Sequence, residues 1–340
     1  MTINRRTLVS SFAAALLVPR IARAATVTDD AGRTITIPDK VERVFAAGPP
    51  ASILLYTLAP ELLLGWPQQP KPAQCEFLGS GACDKPEVGR LTGRGDTTNL
   101  EVLLKLKPDL ILDVGTINNT YTSLANRVQE QTGIPYALLD GRFAAAAATY
   151  RKLGELTHRQ SQAETFASYA DKTLTTIKGR IDKIAQDQRP RVYYARGPRG
   201  LETGLGGSIN VETIEFLGAR NVAGDRRGGM ATVSAEQVLA WNPDVIITIE
   251  PAFAASVRTD PVWAPIKAVQ TKRVYLSPRL PFGWVDFPPS VNRLIGLWWL
   301  AKALYPDQFP EDLHPITRDF YQRFYHFNPT DTQIDRVLAG

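Results

Sequence analysis

The stretch NLEVLLKLKPDLILDVG, Asn99 to Gly115, reads as a short amphipathic helix, a Pro-Asp break and an apolar strand, and the chain writes it twice. Displaced by 135 residues stands SAEQVLAWNPDVIITIE, Ser234 to Glu250, which aligns without a gap. Glu101 falls on Glu236, Leu104 on Leu239, Pro108-Asp109 on Pro243-Asp244 and Ile111 on Ile246. Solenoids repeat every ~20–50 residues, so the wide spacing predicts two similar lobes. The lobes also open alike. RVFAA (43–47) runs into Gly48-Pro49-Pro50 and the apolar ASILLYTLA, and RVYYA (191–195) runs into Arg196-Gly197-Pro198. Short apolar runs bounded by Gly and Pro are the pattern of buried strands, and further strands are expected at PYALLD (135–140) and RVYLSP (273–278). Strands alternating with helices predict an α/β fold of two lobes, each a mostly parallel central sheet flanked by helices.

Between the lobes, residues 161–188 hold no proline and one glycine, with Phe166, Tyr169, Leu174, Ile177, Ile181 and Ile184 at helical spacing. The lobes are therefore expected to be joined by one long α-helix, which at this length would span ~42 Å. The expected organisation is an export signal (1–24), an N-terminal α/β lobe (25–160), a linking helix (161–188) and a C-terminal α/β lobe (189–340). At 340 residues, 44% hydrophobic and 21% charged, the chain is large and apolar enough to bury two cores.

The N-terminus has a basic start at Arg5-Arg6, a short apolar centre from Phe12 to Val18 and Ala22-Arg23-Ala24 as a cleavage site, the pattern of an export signal. Both a general secretory and a twin-arginine route are compatible with it. The apolar centre is well below the ~20 residues of a membrane-spanning helix, and no cysteine stands beside the cleavage site to carry a lipid. A freely diffusing periplasmic protein, expected to be monomeric, is the reading. Removing residues 1–24, which hold four arginines and no acids, takes the formal charge from +5 to +1. The basic balance then no longer points to nucleic acid or anionic membrane as partners. Cys75 and Cys83 share a Pro- and Gly-rich loop. In an oxidising compartment such a pair reads as a disulfide that pins the loop, since a metal site would need further ligands nearby.

Two α/β lobes, an export signal, one long connecting helix and the repeated NLE…LKPDLIL and SAEQVLAWNPDVII units resemble the bacterial periplasmic substrate-binding proteins of ABC importers that take iron-siderophores, cobalamin and related metal chelates. FGWVDFPPSVNRLIGLWWLAKALYPD (282–307) resembles a segment frequent in the same superfamily. The resemblance covers essentially the mature chain. It implies a ligand in a shallow cleft between the lobes, a small closure, and one glutamate from each lobe docking onto arginines of the membrane permease. Those glutamates fall on Glu101 and Glu236. Independently of the resemblance, a helix preceding a strand in such a unit has its N-terminus at the strand's carboxyl edge, where ligand crevices form in open α/β sheets. Taken alone, either glutamate would only complement its helix dipole, for about 0.3–1 kcal/mol; their equivalence in two lobes favours docking.

The same rule nominates the cleft residues: Pro49, Thr116 and Asn118 in the first lobe, with Arg94 in its Gly93–Gly95 loop, and Arg196, Phe282 and Trp284 in the second, while Tyr194, as part of a strand, reads equally as a stacking ring or as core. Guanidinium forks suit carboxylates, catecholates and oxyanions, and Phe282 and Trp284 offer flat faces for stacking. No metal ligand set and no cofactor are expected: His158, His314 and His326 lie away from strand ends, with no second His or Cys at ligand spacing. The binding tyrosine that haem relatives carry is not found in GRLTGRGDTTNLE. GLGGS (204–208) follows neither Walker nor Rossmann spacing, and Ser208 has no evident base. No catalytic residue is assigned. The expected function is that of a receptor carrying an iron-siderophore or similar chelate to a permease. Molybdate or tungstate, a corrinoid, or a nickel or cobalt chelate are the alternatives, and a periplasmic enzyme or scaffold on the same fold is the rival class.

Overall fold

The computed structural model describes residues 25–340 apart from positions 94 and 96, so the expected export signal and Arg94 lie outside the described residues. The first lobe starts with a hairpin, β1 (Ala25–Thr28) against β2 (Thr34–Ile37). It continues through β3 (Val44–Ala46), α1 (Pro49–Leu58), the short α2 (Pro72–Cys75), α3 (Leu100–Leu106), β4 (Leu110–Gly115), α4 (Asn119–Thr132), β5 (Tyr136–Asp140) and α5 (Ala146–Thr157). Helix α6 (Gln160–Ile181) leads into the second lobe. There follow β6 (Arg191–Ala195), β7 (Glu202–Gly204), α7 (Glu212–Phe216), β8 (Arg220–Asn221), β9 (Met230–Thr232), α8 (Ala235–Trp241), β10 (Val245–Thr248), α9 (Pro251–Ser256), α10 (Lys267–Gln270) and β11 (Val274–Leu276). The C-terminal helices are α11 (Arg293–Leu304), α12 (Leu313–Phe324) and α13 (Asp331–Leu338). The central sheets are parallel, ordered β3-β4-β5 and β11-β10-β6-β8. Among the described residues no helix is long and apolar enough to cross a membrane.

The repeated unit is repeated in its hydrogen bonds as well. Helix α3 is capped by Asn99, whose side chain accepts from Val102 N, and α8 by Ser234, which accepts from Gln237 N. Both helices end on a left-handed residue, Lys107 (φ 47°) and Asn242 (φ 41°). The Pro-Asp break then does the same work twice. Asp109 Oδ2 accepts from Arg43 N at 2.9 Å, and Asp244 Oδ2 accepts from Arg191 N at 2.9 Å. In return Asp109 N donates to Arg43 O and Asp244 N to Arg191 O, each at 2.8 Å. Each aspartate thus latches the start of one strand to the start of its neighbour and sets the register that follows, Val44 beside Leu110 and Val192 beside Val245.

Both sheets are buried on both faces, which is why their strands read as unbroken apolar runs. In the first lobe Phe45, Ile111, Tyr136 and Leu138 pack under α3 and α4 with Leu103, Ala125 and Val128. In the second, Tyr193, Ala195 and Ile246 pack with Val238 and Phe253. The opposite faces meet one continuous core: Val44, Leu110 and Leu112 from one sheet and Val192, Tyr194, Val245 and Ile247 from the other join Leu54, Ala167, Ile177, Leu294, Leu297, Phe320 and Phe324. The link between lobes is therefore a helix packed along its length. Phe166 stacks on Tyr150 at 5.1 Å and meets Phe324 edge-on at 5.0 Å. It is also shorter than the expected 161–188. Arg189 donates to Ile181 O and Ile184 O, closing the helix end at Ile181, and Ile184 turns back into the core.

The two latches are expected to contribute separately. Asp109→Ala and Asp244→Ala should each lower unfolding free energy by about 1–2 kcal/mol and add in the double variant, read by urea denaturation. Burial alone would raise the Asp244 pKa, but the hydrogen bonds from Lys267 and Arg191 N outweigh it and hold the carboxyl below its ordinary value. Its contribution is thus present above the unfolded pKa of about 4 and lost as pH falls through the lower folded one. In Asp244→Ala the acid limb of the stability profile should be shallower.

Candidate functional site

At the carboxyl edge of the second sheet, the chain leaving β6 and the loop between β11 and α11 come together on one carboxylate. Asp286 is fully buried. Its Oδ2 accepts from Tyr194 Oη at 2.7 Å and Arg196 Nη1 at 3.1 Å; its Oδ1 accepts from Asn210 Nδ2 at 2.8 Å and Phe287 N at 2.7 Å. These four donors satisfy a buried charge that would otherwise be costly. Burial, and then the Asp286 charge, push the Tyr194 phenol pKa well up, so it stays a proton donor. Arg196 is only 8% exposed, and its guanidinium carbon lies 5.0 Å from the Phe287 ring centroid. Among the described residues its Nε and Nη2 donate to no protein atom, and solvent reaches them. One side of the guanidinium is held by protein, and the other presents free N–H groups. Next to it, Gly197 N donates to Glu250 Oε1 at 3.2 Å.

A second buried network crosses between the lobes. Arg293, 1% exposed, donates through Nη2 to Gly141 O at 2.8 Å and through Nη1 to Ile209 O at 2.9 Å and Glu212 Oε2 at 3.1 Å. The same Glu212 oxygen accepts from Phe143 N of the first lobe at 2.9 Å. Burial lowers the Arg293 pKa, while Glu212 and Asp286 oppose the shift. Nearby, Ser290 Oγ donates to Pro50 O at 2.9 Å. The crevice lined by Gly141, Arg142, Phe143, Ser290, Val291 and Arg293 has a volume of about 20 Å³, room for about one water molecule. The lobes meet tightly at this point.

The first lobe faces the crevice with less chemistry. Pro49 is half-buried at the first position of α1, where Pro49 and Pro50 remove two of the helix's free N–H groups. Thr116 is exposed just after β4. Asn118 is exposed too, but its side chain caps α4 by accepting from Tyr121 N at 3.1 Å. Under the loop leading to Arg94, Asp113 accepts from Thr92 Oγ1 at 3.0 Å and Tyr136 Oη at 3.2 Å. Burial raises the Asp113 pKa, and those hydrogen bonds oppose it.

Of the residues singled out in the sequence, Tyr194 and Arg196 are brought together on Asp286. Phe282 and Trp284, 7% and 0% exposed, turn inward. Phe282 packs between Trp66 and Tyr325, and Trp284 lies in the shared core, because the loop carrying them covers that core before α11. The aromatic which this loop exposes is Phe287, at 62%. Asp286, Phe287, Asn210, Glu212 and Arg293 were not foreseen. Glu101 and Glu236 stand exposed at the second position of α3 and α8. Glu101 pairs with Lys105 at 2.7 Å, and Val102 and Leu104 beside it are 39% and 48% exposed. Cys75 and Cys83 form a disulfide. Its loop reaches the second lobe through Gln74 Nε2, which donates to Pro281 O at 2.8 Å. Among the described residues no group of three or more His, Cys, Asp or Glu is placed to hold a metal ion.

A family model described as "Periplasmic binding protein" matches residues 67–279. The molybdate-binding protein MolA of Haemophilus influenzae is 29% identical over 346 aligned residues, covering 94% of each chain. Its structure with molybdate bound gives a TM-score of 0.74 at 25% identity, covering 90% of this chain and 99% of that one. An ABC transporter solute binding protein from Sulfurospirillum deleyianum gives 0.84 at 28% identity, covering 92% and 98%. A vitamin B12-binding protein of Yersinia pestis is 30% identical over 152 residues, 44% of this chain and 51% of its own.

The seam between the lobes yields a stability test. Arg293→Met leaves Glu212 and the carbonyls of Gly141 and Ile209 without their donor, so unfolding free energy should fall by about 3–5 kcal/mol. Glu212→Gln, which keeps an acceptor for Phe143 N, should cost less. Urea titrations of both variants compare the two.

Proposed function

The chain belongs to the periplasmic binding protein family, and from that premise we propose that its cargo is a small oxyanion of the molybdate or tungstate type. It works in the periplasm as the binding protein of an ABC importer, delivers a small-molecule cargo to a permease, and does no chemistry on it. The observation that carries the oxyanion reading is Arg196. Its guanidinium is buried, fixed on one side by Asp286 and open on the other. Two N–H groups in a rigid plane match two oxygens of a tetrahedral anion, and the low dielectric of a buried site strengthens that bond. A relative named for molybdate is matched over 94% of the chain, whereas the vitamin B12-binding protein of Yersinia pestis is matched over 44% of it. The sequence alone favoured an iron-siderophore. The two rings that the sequence offered to a flat chelate, Phe282 and Trp284, are turned into the core, which takes away the stacking surface that reading relied on.

Titration calorimetry separates these cargoes. Molybdate and tungstate should bind at about 1 μM or tighter, roughly −8 kcal/mol. Arg196→Lys, a point charge without the fork, should weaken binding by about tenfold or more. Saturable binding of a ferric siderophore with no heat from either oxyanion would overturn the proposal.

Delivery is proposed to run through Glu101 and Glu236, whose exposure at equivalent positions of the two lobes suits charge-assisted bonds to permease arginines. Either Glu→Ala change should weaken docking by about 1–3 kcal/mol, and reversing both to Lys should abolish uptake through like-charge contact. Cargo affinity of the free protein should stay unchanged. Uptake in liposomes beside calorimetry of the same variants checks both halves; full uptake by the double Lys variant would rule the docking role out.

A further inference from the structure

Phe287 combines features that folding alone does not explain. It is the most exposed of the large apolar side chains among the described residues, at 62%. Its backbone is left-handed, φ +63°, a region that bulky L side chains adopt only when the surroundings impose it. The surroundings do impose it. Asp286 Oδ1 accepts from Phe287 N at 2.7 Å, and Asn292 Nδ2 bonds to Gly283 O and Pro288 O on either side. Gly283 lets the loop fold so closely that a Cβ there would fall 2.0 Å from Asp286 O and 3.0 Å from Phe287 O. These bonds use backbone atoms of Phe287 and its neighbours, and none of them uses the ring. A glycine at 287 would fit the same turn with less strain. The ring's partner is Arg196, whose guanidinium carbon lies 5.0 Å from its centroid, within cation–π range. One carboxylate, Asp286, holds both members of that pair, Arg196 through Oδ2 and the Phe287 backbone through Oδ1.

We propose that Phe287 is a specificity-determining residue, an apolar wall beside the free edge of Arg196 that selects large, weakly hydrated oxyanions over sulfate and phosphate. This rests on the oxyanion reading of Arg196. A phenyl ring packed against the guanidinium shields its N–H groups from water and strengthens the bonds they make to an anion. It also offers that anion no hydrogen bond in place of the water it removes. The penalty grows with how strongly the anion is hydrated. Sulfate and phosphate, small and of high charge density, lose more than molybdate or tungstate, whose charge is spread over a larger surface. Specificity then arises from the rejected anion, as a difference of affinities.

The test uses the full mature protein with Phe287→Gly and Phe287→Leu, titrated with molybdate and with sulfate, and a thermal melt of each without anion. Phe287→Gly is expected to melt at the same temperature as the parent or higher, yet to lose about tenfold of the molybdate-to-sulfate affinity ratio, because sulfate is relieved of its dehydration penalty while molybdate loses the shielding. Phe287→Leu, apolar but without a π face, should fall between. If both variants keep the parent's molybdate-to-sulfate ratio within about twofold, or if both affinities fall in parallel with the melting temperature, Phe287 is a structural residue and the inference is overturned. If the parent binds neither molybdate nor tungstate, the oxyanion reading fails first and takes this inference with it. That outcome is distinct from one in which only the variants' selectivity is unaffected.

Discussion

The continuous apolar core between the two sheets is the constraint on which the rest depends. One face of each sheet packs against the same set of helices, α1, α6, α11 and α12, so the lobes are two sides of a single interior. Interiors of this density do not deform gradually. Opening the lobes widely would expose apolar surface at roughly 25 cal/mol per Å² and break the buried bonds that Arg293 makes to Gly141, Ile209 and Glu212. The chemistry is accordingly pushed to the rim, where strands end and loops from both lobes meet. Surfaces at such a rim are already in place before anything binds, which lowers the ordering cost of binding there.

Within that rim a single carboxylate, Asp286, holds the arginine proposed to meet the cargo. Asp286 binds a phenol, a guanidinium, an amide side chain and a backbone N–H drawn from three separate segments. Because its charge is met by donors that protein geometry fixes, Arg196 is held without being used up. A lone arginine at a strand end would wander among rotamers and lose entropy on meeting a ligand. Here that ordering has already taken place in folding. The neighbouring seam works differently: Arg293 has donors engaged on both lobes, and the space around it admits about one water. It joins the lobes, while Arg196 is held by one lobe alone and is the arginine proposed to receive cargo.

Much of the fold was legible because its causes are local. Pro108-Asp109 and Pro243-Asp244 announce a helix end and a strand start within a few residues, and the same aspartates latch strand beginnings that also read clearly. The apolar runs of β4, β6 and β10 follow from burial on both faces. The end of α6 was overestimated because its stop lies in tertiary structure, in the side chain of Arg189 and the inward turn of Ile184. The site was legible only in part. Tyr194 and Arg196 could be named from their place at the end of β6 and just past it, but the partner that unites them stands about ninety residues on, at Asp286. Phe282, Trp284 and Phe287 belong to one aromatic, proline-rich loop, and no period in the sequence tells which ring faces water. The signals that point to Phe287 are Asp286 before it and Pro288-Pro289 after it, which mark a constrained turn.

The C-terminal helices also dictate when the first lobe can finish folding. Tyr56 of α1 donates to Tyr325 O, Tyr325 O also receives Gly79 N, and Phe77 in the disulfide loop lies against Tyr321 and Phe327. Those partners are about 250 to 270 residues apart in the chain. Multidomain chains ordinarily fold domain by domain, each unit completing by itself. This one cannot. Without the last residues, one flank of α1 and the loop between Cys75 and Cys83 have nothing to pack against, so the first lobe can reach its final state only once the whole chain is available. The folding rate is then governed by long-range loop closure, which is slow, and an incomplete chain presents a sticky apolar face for as long as it waits.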